Sequence, residues 1–282
     1  MSDVRTEDAP VRTQQNRTGP NPPGDFIWYE LMTPDAEGSK AFYDAVVGWN
    51  IGEGVAEYNG YRMIGTADGA FTGGVLPLTD EMQQHGARPT WLGYLNVRDV
   101  DAKIAEIESA GGKTLMPATD IPNVGRIAMA ADPSGAPFYI MKPTPPANDP
   151  NAVSDVFSVD QPQHVRWNEL SSTGQDGAIA FYKRQFGWQQ DGAMPMGEMG
   201  DYKFIYANGV RIGAIMRKPP QLPASLWTYY IGVDDIDRAS EAIKNGGGQI
   251  LHGPIEIPGG EFSLNAIDPQ GASFAVVGPR KN

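Results

Sequence analysis

The chain contains no cysteine. Disulfides, thiol nucleophiles and thiolate metal sites are therefore excluded, and nothing points to an oxidising compartment, so the cytoplasm is the expected location. Histidine is scarce too, with only His85, His164 and His252. Positive charge is in deficit: 22 Lys and Arg face 34 Asp and Glu, for a formal charge of −12. Phosphate contacts need clustered cations, so neither nucleic acid nor an anionic membrane surface is an expected partner. No apolar run approaches the roughly 18 residues a membrane span requires. Residues 1 to 24 lack an apolar core and read as a disordered tail rather than a secretory signal. There is no phosphate-cradling glycine loop, no Gly-x-Ser-x-Gly elbow and no zinc-binding helix motif. The glycine runs at 111–112 and 246–248 follow helical patterns and serve to end them.

What remains is a globular composition, 40% hydrophobic and 20% charged, over 282 residues, enough for two packed domains. The chain also repeats itself. Trp28-Tyr-Glu-Leu and Phe42-Tyr43, closed by Gly48-Trp49, return as Trp167-Asn-Glu-Leu and Phe181-Tyr182, closed by Gly187-Trp188, at a constant shift of 139 residues. Farther on, Trp91, Tyr94, Val97 and Asp99 return as Trp227, Tyr230, Val233 and Asp235, and the turn Asp132-Pro-Ser-Gly135 as Asp268-Pro-Gln-Gly271, now shifted by 136. A repeat of this length is a duplicated domain rather than a solenoid unit.

Each copy divides again. Residues 26 to 32 alternate as a half-buried strand, with Trp28, Glu30 and Met32 on one face. Thr33-Pro34-Asp35 offers a helix start with Thr33 as cap and Pro34 at the first helical position, and Gly48 ends that helix. Short strands follow near 49–52, 61–66 and 73–76, separated by Asn59-Gly60 and Asp68-Gly69 turns. The order recurs from a strand at 91–97, through a helix at 100–109 capped by Asp99, to strands near 114–117, 126–130 and 137–141. The predicted class is α+β, with four βαβββ modules: 26–78 and 90–142 in a first domain (25–142), 164–218 and 225–280 in a second (164–280). Residues 143 to 163, rich in Pro, Asn, Asp and Ser, read as a linker.

Four such modules, an FYxxxxGW block, a VxDVDxxxxxIxxAGG block and a DPxG turn together resemble the vicinal oxygen chelate superfamily, in particular its two-domain glyoxalase/bleomycin resistance/dioxygenase-like proteins. The resemblance implies that paired modules curve mixed sheets into open cups, where metal-dependent members hold a divalent ion with His, Glu or Gln. Carried onto this chain, the first ligand position falls on Trp28 and Trp167, the second-module position on Leu92 and Thr228, and the last-strand position on Tyr139 and Ala275. The remaining position lies in the Gly-rich strands near Gly73-Gly74 and Gly213. None of these side chains suits a divalent ion, so no metal and no cofactor is expected.

Glu30 and Glu169, two residues beyond the tryptophans, point into the same hollows. There a desolvated carboxylate would have a raised pKa and could accept a proton or a hydroxyl. Trp28, Trp167, Tyr94, Tyr230 and Tyr139 offer flat surfaces and hydroxyls for a planar ligand. Met194, Met196 and Met199 suit either an adaptable lid or a plain loop. The leading expectation is a metal-free protein that binds a small hydrophobic or aromatic metabolite in one or both cups. In an enzymatic extension, Glu30 or Glu169 would be a general base for lyase- or isomerase-type proton transfer. Two alternatives stay open: a metal-dependent lyase or dioxygenase of the same superfamily, and a non-catalytic interaction or effector protein with filled cups. The duplication is compatible with a monomer or a homodimer. It leaves open whether modules pair within a domain or across the repeat.

Overall fold

The computed structural model describes residues 20 to 281. Its first sheet is built outward from β1 (Phe26–Thr33), where alternation sends Tyr29 and Leu31 into the main core and Met32 into a smaller cluster on the opposite face. Asp35, not Thr33, caps the helix α1 (Ala36–Val47): its carboxylate accepts from the Gly38 amide at 2.9 Å. Thr33 is still paired as a strand residue with Pro77, and its hydroxyl instead meets that of Ser39 at 2.9 Å. Pro34 accordingly precedes the helix. Gly48, at φ 83°, adopts the left-handed geometry that ends α1 without the penalty a Cβ would bring.

The chain continues through β2 (Asn50–Ile51), β3 (Arg62–Gly65) and β4 (Phe71–Pro77). Between the two modules of this copy lies a short helix, α2 (Asp80–Gln84), capped by Thr79. The second module runs β5 (Thr90–Asn96), α3 (Val100–Ser109), β6 (Lys113–Ile121), β7 (Gly125–Ala131) and β8 (Pro137–Pro143), with Asp99 capping α3 as expected. The other copy supplies β9 (Val165–Ser172), α4 (Gln175–Phe186), β10 (Gln189–Pro195), β11 (Asp201–Ala207) and β12 (Val210–Arg217). After these come β13 (Leu226–Gly232), α5 (Ile236–Asn245), β14 (Gln249–Glu256), β15 (Phe262–Ile267) and β16 (Ser273–Gly278).

Two eight-stranded sheets result, in the orders β2-β3-β4-β1-β5-β8-β7-β6 and β10-β11-β12-β9-β13-β16-β15-β14. In each, an antiparallel seam (β1 on β5, β9 on β13) joins two modules, and parallel contacts (β1 on β4, β5 on β8) flank the first of these seams. Modules therefore pair within a copy. The helices pair across copies, α1 against α5 and α3 against α4.

One continuous apolar core fills the space between the sheets. The repeated motifs meet inside it. Tyr43 of the first FYxxxxGW block donates to Asp268 of the second DPxG turn at 3.0 Å and accepts from Trp91 Nε1 at 2.9 Å. Tyr182 mirrors this toward Asp132, at 3.3 Å, and accepts from Trp227 Nε1 at 3.0 Å. Each Asp also accepts the amide that closes its own turn, from Ala272 and Ala136. Buried polar groups must be bonded, and these two exchanged links satisfy a Tyr, a Trp and an Asp at once. Trp49 and Trp188, 5% and 2% exposed, pack in the same core.

The segment between the sheets is not a slack tether, because Val156 and Phe157 are buried in the core and Phe157 bridges to Val165. Of the tail expected over 1–24, residues 1 to 19 lie outside the described residues. The last few are tied down: the Gly24 amide donates to Asn96 O, Gly24 O accepts from Trp188 Nε1, and Asn21 bonds Ser154. Among the described residues no helix is long and apolar enough to cross a membrane.

Candidate functional site

Each sheet carries a polar device on the face turned away from the shared core. In the first, Glu30 Oε2 accepts from Tyr94 on the neighbouring β5 at 2.9 Å, while Trp28 Nε1 donates to the Tyr61 hydroxyl at 2.8 Å. Gly74, the strand partner of Glu30 on β4, makes room for that tyrosine: a Cβ there would stand 1.9 Å from the Tyr61 hydroxyl oxygen. In the second, Trp167 Nε1 donates to Tyr202 at 2.7 Å. Tyr202 donates to Glu169 Oε2 at 2.7 Å, and Tyr230 donates to the same oxygen at 3.0 Å. The repeated unit is an indole, a relaying tyrosine, a carboxylate and a second tyrosine.

The two copies differ in how they are closed. Glu30 is only 3% exposed, and Tyr94 and Tyr139 cover it with rings stacked 4.2 Å apart at 16°. Leu92, Ile127 and Met141 pack around them. Burial drives the Glu30 pKa up from 4.5 to about 7, against the pull of the Tyr94 and Tyr61 hydroxyls. Tyr61 approaches closely enough to oppose the rise, yet Glu30 Oε1 is left buried without a hydrogen-bond partner. The carboxylate, Tyr61, Tyr94 and Tyr139 all resist ionising together, since burial raises each tyrosine and the Glu30 charge raises them further.

Glu169 and Tyr230 are half-buried instead, while Trp167 is half-buried as Trp28 is. Burial still raises the Glu169 pKa, opposed by its two tyrosines. Asn265 donates to the Tyr230 hydroxyl at 3.3 Å, and the Arg211 guanidinium lies 5.9 Å and 5.3 Å from the Trp167 and Phe204 ring centres. Met194 and Met199 pack against this cluster, and Met196 is exposed.

The structure thus brings Trp28, Glu30, Tyr94 and Tyr139 together on the outer face of one sheet and Trp167, Glu169 and Tyr230 on that of the other. It adds Tyr61 and Tyr202, which the sequence reading had passed over. Their one signal is a matched placement at a shift of 141 residues, two more than the preceding block, visible only if the intervening loop is allowed to vary.

The positions that the resemblance marks for ligands carry indole, aliphatic, phenol and, at Thr228, hydroxyl side chains, or glycine. Among the described residues no three His, Cys, Asp or Glu gather where they could hold a metal ion. A single carboxylate per hollow, already bonded to tyrosine, does not make the donor set a divalent ion needs. The histidines are engaged elsewhere. His85 bonds Glu81 O at the end of α2, buried His164 bonds Pro162 O, and His252 is exposed on β14. Two open depressions, of about 620 and 450 Å³, flank the start of α4 outside both hollows.

Comparison with known proteins agrees with this architecture. The family model for the Glyoxalase/Bleomycin resistance protein/Dioxygenase superfamily matches twice, over residues 26–140 and 163–276. The chain is 29% identical over 272 residues to the putative glyoxylase CFP32 of Mycobacterium tuberculosis, spanning 96% of this chain and 98% of that protein. It is 26% identical over 275 residues to the anthracycline biosynthesis protein DnrV of Streptomyces peucetius, spanning 90% and 93%. Among solved structures, the Mn(II)-bound glyoxalase from Novosphingobium aromaticivorans superposes with a TM-score of 0.59 at 18% identity, covering 92% of this chain and 83% of that one. The 2,3-dioxygenase LapB from Pseudomonas sp. KL28 does so with a TM-score of 0.59 at 15% identity, covering 94% of both. At these identities the two structures share a fold with this chain.

Proposed function

The chain belongs to the Glyoxalase/Bleomycin resistance protein/Dioxygenase superfamily, and from that premise we propose that it binds a small hydrophobic or aromatic metabolite in its sheet cups without a metal ion. One observation carries the reading: where the fold would gather metal ligands, each cup holds one desolvated carboxylate wired to two tyrosines and an indole. Such a set recognises a guest by stacking and by one strong acceptor. The likeness to a protein named for anthracycline biosynthesis supports a flat, polycyclic guest.

Proton transfer is the natural extension, because burial raises the pKa of Glu169 while its side chain stays only half-buried, and a carboxylate so placed can serve as base or acid. The readings separate in one experiment. Binding alone quenches tryptophan fluorescence and returns the guest unchanged on chromatography. Catalysis converts the guest, survives chelation, and disappears in Glu30→Gln or Glu169→Gln. A guest that neither quenches nor changes, across a panel of planar aromatics, argues for an interaction protein instead.

A further inference from the structure

The duplication permits a comparison that neither cup allows alone. On the second-module side the cups correspond residue for residue at a shift of 136, and strand register confirms the match: Tyr94 pairs with Tyr139, as Tyr230 pairs with Ala275. Around the carboxylate, five changes from the first cup to the second remove bulk or add polarity, against one in the other sense at the strand end, where Thr90 becomes Leu226. Leu92 becomes Thr228, Ile127 becomes Ser263, Met129 becomes Asn265, Tyr139 becomes Ala275 and Met141 becomes Val277. The physical result is visible in the carboxylates. Glu30 is sealed beneath stacked tyrosines, whereas Glu169 and Tyr230 are half-buried because no ring at position 275 covers them.

In both copies tyrosine bonds the carboxylate at Oε2 and leaves Oε1 without a protein donor, but Glu30 is buried and Glu169 only half-buried, so the free acceptor of the second copy is the one a guest can reach. Trp167 stands half-buried beside it, with Arg211 over its ring and the unbranched Met194 and Met199 at its margin. A flat ring fits against an indole, and an acidic hydroxyl satisfies a desolvated carboxylate oxygen.

Resting on the binding function proposed above, we infer that the second cup is the receptor and the first a structural copy plugged by its own side chains, and that the second takes a planar hydroxyaromatic molecule whose hydroxyl donates to Glu169. Ala275 and Thr228 are then the residues that keep the receptor open. The first cup shows what closes it, since this fold already accommodates tyrosine and leucine at the matching positions.

Isothermal titration calorimetry with quinizarin, a dihydroxyanthraquinone, and with its dimethyl ether tests this on the full chain. Wild-type protein is expected to bind one quinizarin per chain. Ala275→Tyr and, independently, Thr228→Leu should weaken binding by at least about tenfold by filling the hollow, and circular dichroism identifies any variant that has not folded. The dimethyl ether, which cannot donate, should also bind at least about tenfold more weakly. Two quinizarin molecules per chain, or one whose affinity ignores both substitutions, would overturn the assignment to the second cup while leaving the binding function standing. A dimethyl ether that binds as tightly as quinizarin would overturn the ligand class. No binding of either compound would sink this inference and the function beneath it together.

Discussion

Replacing Glu30 by Gln should make the protein's stability less sensitive to alkali, and the size of the effect follows from burial. The carboxyl has a pKa of about 7 in the folded chain against 4.5 as its ordinary value. Folding therefore favours the protonated form. Between these values the folded state holds more protons than the unfolded state, so stability falls as pH rises through that window, and the loss is complete above about pH 7. The difference corresponds to about 3 kcal/mol. An amide keeps the acceptor for Tyr94 and cannot ionise, so the variant escapes the penalty. Relative to wild type it should gain about 3 kcal/mol between pH 4.5 and 8.5, or about 6 to 12 °C in melting temperature for a chain of this size. Melting both proteins by circular dichroism across that range measures it, and every other titrating group cancels in the subtraction. A difference that stays flat with pH, or a variant that loses ground at alkaline pH, would show that Glu30 is not held in a desolvated site.

Other substitutions probe the frame around the cups. Tyr43→Phe should cost about 1 to 3 kcal/mol in urea unfolding, because it strands both Asp268 and Trp91 in the core. Tyr182→Phe should cost less, since its bond to Asp132 is longer, at 3.3 Å. Asp35→Ala removes the cap of α1 and should cost about 1 kcal/mol, whereas Thr33→Val tests the Ser39 link and not the cap. Gly213→Ala should destabilise by about 3 kcal/mol or prevent folding, because its Cβ would lie 1.8 Å from Asn168 O, a backbone atom that cannot swing aside.

The architecture was legible because duplication writes each motif twice. The shifts of 139 and 136 located the modules, and strand alternation put Glu30 on one face with Trp28, but that Glu30 meets Tyr94 and Glu169 meets Tyr230 depends on which strands are neighbours. The helix cap was misplaced by two residues because Thr33 and Asp35 both suit the role by type, and only the strand pairing of Thr33 decides between them. Tyr61 and Tyr202 escaped notice because they follow irregular stretches whose lengths differ between copies. Module pairing was invisible, since a repeat fits either arrangement equally well until β1 is seen hydrogen-bonded to β5. The plugging of the first cup is a matter of volume, and sequence shows residue types without showing which of them meet.

The proposed recognition uses a carboxylate and aromatic rings in place of a metal ion. Its most direct test is a fluorescence titration with quinizarin before and after exhaustive dialysis of the protein against EDTA. The same dissociation constant is expected in both. Affinity that vanishes on chelation and returns with manganese, iron, nickel or zinc would contradict it.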